Sequence, residues 1–259
     1  MRYLFTDSDL AADRLRYLAE VYAATTRQFV LQALGGRPGL VVDLGCGPGC
    51  TTHLLAEVSE CDKAVGLDNS KHFISLADST KTESVSFLLH DVTREPFPVG
   101  PAHVLYCRYL LTHLASPLDA MVAWGTQLRP GGLLLVEEVE WIRNSNPVFA
   151  HYLRIVEAML AAQSNQLYVG PWLNGMEDTD VLKQRSSLVR HVPVMNHQAA
   201  TMFHMNIQSW KHQPFVRKNY AKETIAELEG ALAGLAAGLT GTSEIEWGLR
   251  QMVFERPCA

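Results

Sequence analysis

A chain of 259 residues with 47% apolar and 19% charged residues has the composition of a globular enzyme, long enough for one large α/β domain or a domain with a cap. Its formal net charge of −5 provides no basic face for nucleic acid, and no apolar run approaches the roughly 18 residues that a membrane helix needs. The first residues, Met-Arg-Tyr-Leu-Phe-Thr-Asp-Ser-Asp, lack the apolar core of a signal peptide, so a cytoplasmic protein without nucleic-acid or membrane partners is expected. Five cysteines, Cys46, Cys50, Cys61, Cys107 and Cys258, match neither a disulfide framework nor a zinc ribbon and read as small, half-buried residues in a reducing compartment.

Asp7 to Leu34 carries Leu10, Leu15, Leu18, Val21, Tyr22, Phe29 and Val30 at helical spacing, so one or two helices are expected, with Asp9 as candidate N-cap. Gly35, Gly36, Pro38 and Gly39 end this segment. Leu40 to Leu44 then reads as a buried parallel strand, Gly45, Gly47 and Gly49 as a tight turn, and Cys50 to Val58 as a helix. Ala64 to Asp68 is a second strand ending in an acid, followed by Asn69 and Ser70 as caps for a helix from Lys71 to Ser79. Val85 to Leu89 is a third strand that runs into His90-Asp91-Val92. Val104 to Cys107 is a fourth, leaving into Arg108 and His113; Pro117 to Leu128 is a helix, Arg129 to Gly132 a turn, and Leu133 to Val139 a fifth strand. Strands alternating with helices mean a parallel sheet covered on both faces.

Beyond Val139 the order is less regular. Helices are expected over 147–166, 178–186, 198–215 and 222–239, a turn over 169–173, and strands over 188–195 and 246–255. The Ala/Gly-biased stretch 230–241 reads as a closely packed helix.

The Gly loop decides which ligand is expected. A dinucleotide fingerprint is G-x-G-x-x-G, but here the glycines alternate and Cys50 stands where the third should be. No Lys follows, as a phosphate loop requires. Asp43, just ahead of the glycines, would repel a pyrophosphate and suits a cation such as the amino group of an amino-acid moiety. An acid at the end of the second strand, Asp68, can take both hydroxyls of a ribose.

The stretch Asp43-Leu-Gly45-Cys-Gly47-Pro-Gly49 resembles the first motif of the class I S-adenosylmethionine (SAM) dependent methyltransferases, especially bacterial small-molecule enzymes of secondary metabolism. Leu128-Arg-Pro-Gly-Gly-Leu-Leu-Leu-Val136 resembles their pattern before strand five, so the resemblance covers roughly 40–139. It implies a Rossmann-like fold: a seven-stranded, mostly parallel sheet with helices on both faces and a helical substrate cap. Residues 1–39 would form an N-terminal cap segment, and 40–259 the SAM-binding domain with cap insertions at about 141–186 and 198–240.

The resemblance also implies a cofactor pose. Gly45, Cys46, Gly47 and Gly49 would lie along the methionine part, with Asp43 holding its ammonium; Asp68 and Asn69 would take the ribose; Asp91 and the amide of Val92 would read the adenine; Cys107 and Arg108 would sit near the methyl group. His113 is the better candidate base or orienter, with Glu137 and Glu138 adjacent on the fifth strand, Glu138 preferred, and His204 also a candidate. No metal-ligand spacing is present, so no metal is expected. The acceptor pocket is expected from the large apolar side chains outside the core, including Tyr3, Phe5, Tyr22, Trp141, Phe149, Phe203 and Met205. They suit a small, flat, mostly apolar acceptor, aromatic or heteroaromatic, at a carbon, nitrogen or oxygen atom, an indole-like carbon included. A homodimer stays open. Two rivals remain: a nicotinamide-dependent oxidoreductase, against which the absent third glycine counts, and a non-catalytic SAM-binding protein, which the three acids do not distinguish from an enzyme.

Overall fold

The computed structural model describes residues 7–238 and 245–258; Tyr3, Phe5 and Leu239, named above, lie outside them. A single helix, α1 (Asp9–Ala33), opens the described chain. Its N-cap is Ser8, whose hydroxyl accepts from Ala11 N–H at 3.2 Å, so Asp9 is the first helical residue, where an acid suits the helix dipole. Then follow β1 (Leu40–Leu44), α2 (Cys50–Ser59), β2 (Lys63–Asp68), α3 (Lys71–Asp78), β3 (Val85–Leu89), β4 (Ala102–Arg108), α4 (Pro117–Thr126) and β5 (Leu128–Asn144). The rest is α5 (Pro147–Ala161), the short α6 (Gly170–Leu173), β6 (Lys183–Val194), α7 (Asn196–Trp210), α8 (Pro214–Asn219), α9 (Lys222–Ala237) and β7 (Ile245–Glu255).

The seven strands lie in the order β3-β2-β1-β4-β5-β7-β6, and only β7 runs against its neighbours. This is the mostly parallel sheet expected, with helices on both faces. Alternation along the strands sorts their side chains. Val41, Val104, Tyr106, Leu135 and Val253 pack with Phe29 and Val30 of α1 and Leu55 of α2 on one face. Val42, Leu44, Leu105, Cys107, Leu134 and Val136 pack with Trp124 of α4 and Leu173 of α6 on the other. The cap is a third cluster: α5, α7 and α9 close over Ile245, Trp247 and Leu249 of β7, and Tyr22 of α1 joins them.

Several boundaries differ from the sequence reading. Arg129 to Gly132 is not a free turn but a bulge inside β5, since Ala102 faces Leu128 while Val104 already faces Leu133. β5 runs on past its expected end at Val139 to Asn144 because β7 pairs with it that far; the next helix starts at Pro147 as expected, capped by Asn146, and ends at Ala161 rather than Gln166. The expected helix over 178–186 is instead a turn leading into β6: Asp178 Oδ1 accepts from Gln184 N–H at 2.8 Å, and Lys183 already pairs with Glu255. In place of the turn expected over 169–173, Gly170–Leu173 forms α6 with Val169 as its N-cap. Gly230 and Gly234 of α9 face open space, so close packing does not account for the glycines of that stretch. No helix among the described residues is long and apolar enough to cross a membrane.

Leu249 is fully buried between β7 and the cap cluster. Leu249→Ala should destabilise the protein by about 2–5 kcal/mol, read as a lower urea midpoint at unchanged slope.

Candidate active site

The β1–α2 turn is built by glycine. Gly45 and Gly49 have φ of +69° and +90°. A Cβ at Gly49 would sit 2.7 Å from the Phe87 ring and 3.2 Å from Ala77 Cβ, so the loop can lie against α3 and β3 only with glycine there. The loop's amides are already taken, three of them by the end of β2: Gly45 and Cys46 N–H donate to Leu67 O (2.8 and 3.0 Å), Gly47 N–H to Asp68 Oδ2 (2.9 Å) and Gly49 N–H to Cys46 O (3.1 Å). A phosphate-cradling loop needs those donors for its ligand.

Above this turn lies a cavity of about 660 Å³ at the carboxyl ends of β1, β2, β3 and β4. One end is lined by Asp43, Gly45, Cys46, Gly47, Asp68, Asn69, Asp91, Val92 and Arg108. Asp43 is buried; Thr52 donates to its Oδ2 at 2.7 Å, yet burial pushes its carboxyl up to about 7. Asp68 accepts Gly47 N–H on one oxygen and Ser70 N–H (2.8 Å) on the other, which leaves lone pairs on both; burial raises its pKa as well. Asp91 forms a turn with Thr93, whose hydroxyl (2.7 Å) and N–H (3.0 Å) donate to Oδ1, so the turn role and a place in the cavity wall coincide. The Thr93 hydrogen bond holds its pKa below the usual carboxylate value. Trp124 Nε1 donates to Val92 O at 2.8 Å and pins the same turn from the other side of the sheet.

Arg108 leaves β4 on the cavity face. It donates to Thr51 Oγ1 on α2 (3.0 Å) and to Thr26 Oγ1 on α1 (2.8 Å). Thr26 in turn donates to Glu137 Oε2 (2.6 Å), which also receives the Tyr106 hydroxyl, while Gln251 Nε2 donates to Oε1 at 2.7 Å. Glu137 thus ties α1, β4, β5 and β7 together beneath the cavity.

The other end is lined by Tyr22, Tyr109, Tyr152, Met202, Phe203, Asn206 and Trp247, with Arg14, Thr112, His113 and Ile142. Phe203 stacks on Tyr152 (ring centroids 4.1 Å apart, 15° between planes), and Tyr22 meets Tyr109 edge-on at 5.5 Å.

Several expected site residues lie elsewhere. Cys107 points to the opposite face of the sheet, where it is fully buried, because alternation gives Tyr106 and Arg108 the cavity side. Gly49 supports the turn without lining the cavity. Glu138 does not line it either: Oε1 receives Leu110 and Leu111 N–H (2.8 and 2.7 Å), and burial pushes the carboxyl up to about 8. Its position suits holding the segment after β4, not taking a proton from an acceptor. Trp141 is turned away by a bulge between Val139 and Trp141 that puts Ile142 on the cavity side; Arg143 covers its ring at 4.1 Å. Phe149 backs Phe203 at 5.7 Å, and Met205 lies off the buried stripe of α7. His113 does line the cavity, but burial and Arg14 push its imidazole down to about 3, so it is neutral and a weak base. The sequence reading missed Thr26, Thr51, Tyr106, Tyr109 and Asn206. Asn206 had a signal: it follows Met202 and Phe203 by four and three residues, on one helix face. Among the described residues no group of three or more His, Cys, Asp or Glu could hold a metal ion.

With this geometry in view, residues 42–136 match the family model of a methyltransferase domain. Over those residues the chain is similar to a methyltransferase domain. Over 138 residues it is 33% identical to an uncharacterised transposon protein of Streptomyces fradiae, covering 50% of this chain and 40% of that one. Over 102 residues it is 31% identical to trans-aconitate 2-methyltransferase of Streptomyces avermitilis, 38% of each chain. The chain therefore spans less than half the length of these relatives. Coclaurine N-methyltransferase, solved with N-methylheliamine and SAH, is similar with a TM-score of 0.54 over 90% of this chain and 72% of that one; at 14% identity the likeness is one of fold.

Thr26→Val should leave Arg108 and Glu137 each short of a buried partner. The expected cost is about 1–3 kcal/mol, measured by urea denaturation.

Proposed function

We propose that the protein transfers a methyl group from SAM to a small, flat, mostly apolar acceptor, aromatic or heteroaromatic. The observation that carries this reading is the single cavity, with three carboxylates over the glycine turn at one end and aromatic rings at the other. The residues present fit this cofactor. Asp43 offers a buried carboxylate to an ammonium; Asp68 offers free lone pairs to the two ribose hydroxyls; Asp91, with the Val92 backbone, offers an acceptor to the adenine amino group. Arg108, Cys50 and Thr51 line the same end and would be the groups available to the cofactor's carboxylate. A pyrophosphate fits poorly, since the turn's amides are already used and three acids surround the site.

Bound there, the cofactor supplies a methyl carbon made electrophilic by its sulfonium. In that chemistry the acceptor's electron pair would take the methyl carbon while the carbon–sulfur pair stayed with sulfur, and any proton on the attacking atom would leave to solvent when the product is released. The chain's part is position and dryness: the rings of Tyr22, Tyr152 and Phe203 hold a flat acceptor and exclude water, and neutral His113 orients it by hydrogen bonding.

Incubation with methyl-labelled SAM and a panel of phenols, indoles and amines, read by mass spectrometry, should show one added labelled methyl group. SAM or SAH should raise the melting temperature while NAD should not. A shift with NAD alone, or SAM binding without a methylated product across the panel, contradicts the reading.

The free protein's Asp43 pKa of about 7 has a further consequence. Only the ionised carboxylate pairs with an ammonium, so SAH affinity should fall as pH drops below 7, by up to about tenfold per unit. Calorimetry should show that slope in the wild type and its loss in Asp43→Asn, which also binds more weakly at pH 8.

A further inference from the structure

The acceptor end of the cavity holds a polar group that its surroundings leave half satisfied. Asn206 of α7 is 8% exposed and lines the cavity. Its Nδ2 donates to the Tyr152 hydroxyl at 2.9 Å, while its Oδ1 is buried and has no hydrogen-bond partner. Turning the amide over would exchange the atoms without removing the surplus: oxygen would accept from Tyr152 and the amino group would be left over. In an apolar pocket such an atom costs stability unless a ligand meets it.

The walls around it define what that ligand is. Tyr152 stacks on Phe203, which tilts against Trp247 at 5.8 Å, and Trp247 meets Tyr22 edge-on at 6.3 Å. These rings and Asn206 line the same aromatic slot of the cavity. We propose that Asn206 is the specificity-determining residue of this slot: its carbonyl oxygen accepts a hydrogen bond from an O–H or N–H on the edge of a planar aromatic acceptor, a phenol or an indole being the simplest examples. Aromatic molecules without such a donor would strand the carbonyl in the filled pocket and bind less well. The inference rests on the functional reading above, because it takes the aromatic end of the cavity to be the acceptor subsite.

The test measures binding to the protein saturated with SAH, so it does not depend on turnover. Two probe pairs differ in the donor while keeping their shape: phenol with toluene, and indole with benzothiophene. Calorimetry on the wild type should show the donor-bearing member of at least one pair binding about three- to tenfold more tightly, the range of one neutral hydrogen bond. Asn206→Leu should abolish that preference with SAH affinity unchanged to within about twofold. Asn206→Asp keeps an acceptor oxygen and should keep the preference, and it decides the matter should the leucine variant fail to fold. Equal binding within both pairs by the wild type, binding of none of the four probes, a preference that survives Asn206→Leu, or its loss in a folded Asn206→Asp overturns the proposal. Failure of the wild type to bind SAH contradicts the cofactor assignment instead.

Discussion

A carboxyl group sealed from water holds the site together. Glu137 lies at the centre of β5 with no exposed surface, and it is stable there because α1, β4 and β7 each send it a donor. Thr26 carries the connection onward to Arg108, and Arg108 to the start of α2. One chain of hydrogen bonds therefore fixes α1 over the sheet, aims the last residue of β4 into the cavity and holds the helix that follows the glycine turn. Leaving any of these groups unpaired in the interior would be expensive, so the network permits one arrangement of α1 and with it one shape of the cavity floor.

The cofactor end follows from a second constraint, the way the glycine turn uses its backbone. Positive φ at Gly45 and Gly49 folds the chain tightly enough for its own amides to reach Leu67, Asp68 and Cys46. What remains for a ligand is not a nest of donors but the carboxylates of Asp43, Asp68 and Asp91 at the ends of adjacent strands. That donor-poor, acceptor-rich wall suits an ammonium, a diol and an amino-purine, and it opposes a pyrophosphate. Burial makes Asp43 costly to ionise in the free protein, and a bound cation would relieve that cost.

The first half of the fold was legible in the sequence because each strand there is a short apolar run, and Val85–Leu89 and the start of α3 fall where patterning puts them. The acids at the strand ends were legible for the same reason, since strand ends in a parallel sheet mark one edge. What patterning could not show is decided by pairing at a distance. β5 runs through its expected turn and beyond its expected end because β4 and β7 pair with it there, and the bulge after Val139 swaps Trp141 for Ile142 in the cavity wall. Cys107 was misplaced because proximity to Arg108 in sequence means the opposite face in a strand. Glu138 and Glu137 exchange emphasis likewise: the one expected at the cleft braces a loop, and its neighbour organises the site from below.

The central claim is that one cavity holds cofactor and acceptor end to end, and a crystal structure of the SAH complex tests it most directly. The account predicts the amino group of SAH within hydrogen-bonding distance of Asp43, both ribose hydroxyls on Asp68, and the sulfur facing the slot between Tyr22 and Phe203. SAH with its ribose away from Asp68, or with its sulfur turned from that slot, would contradict it.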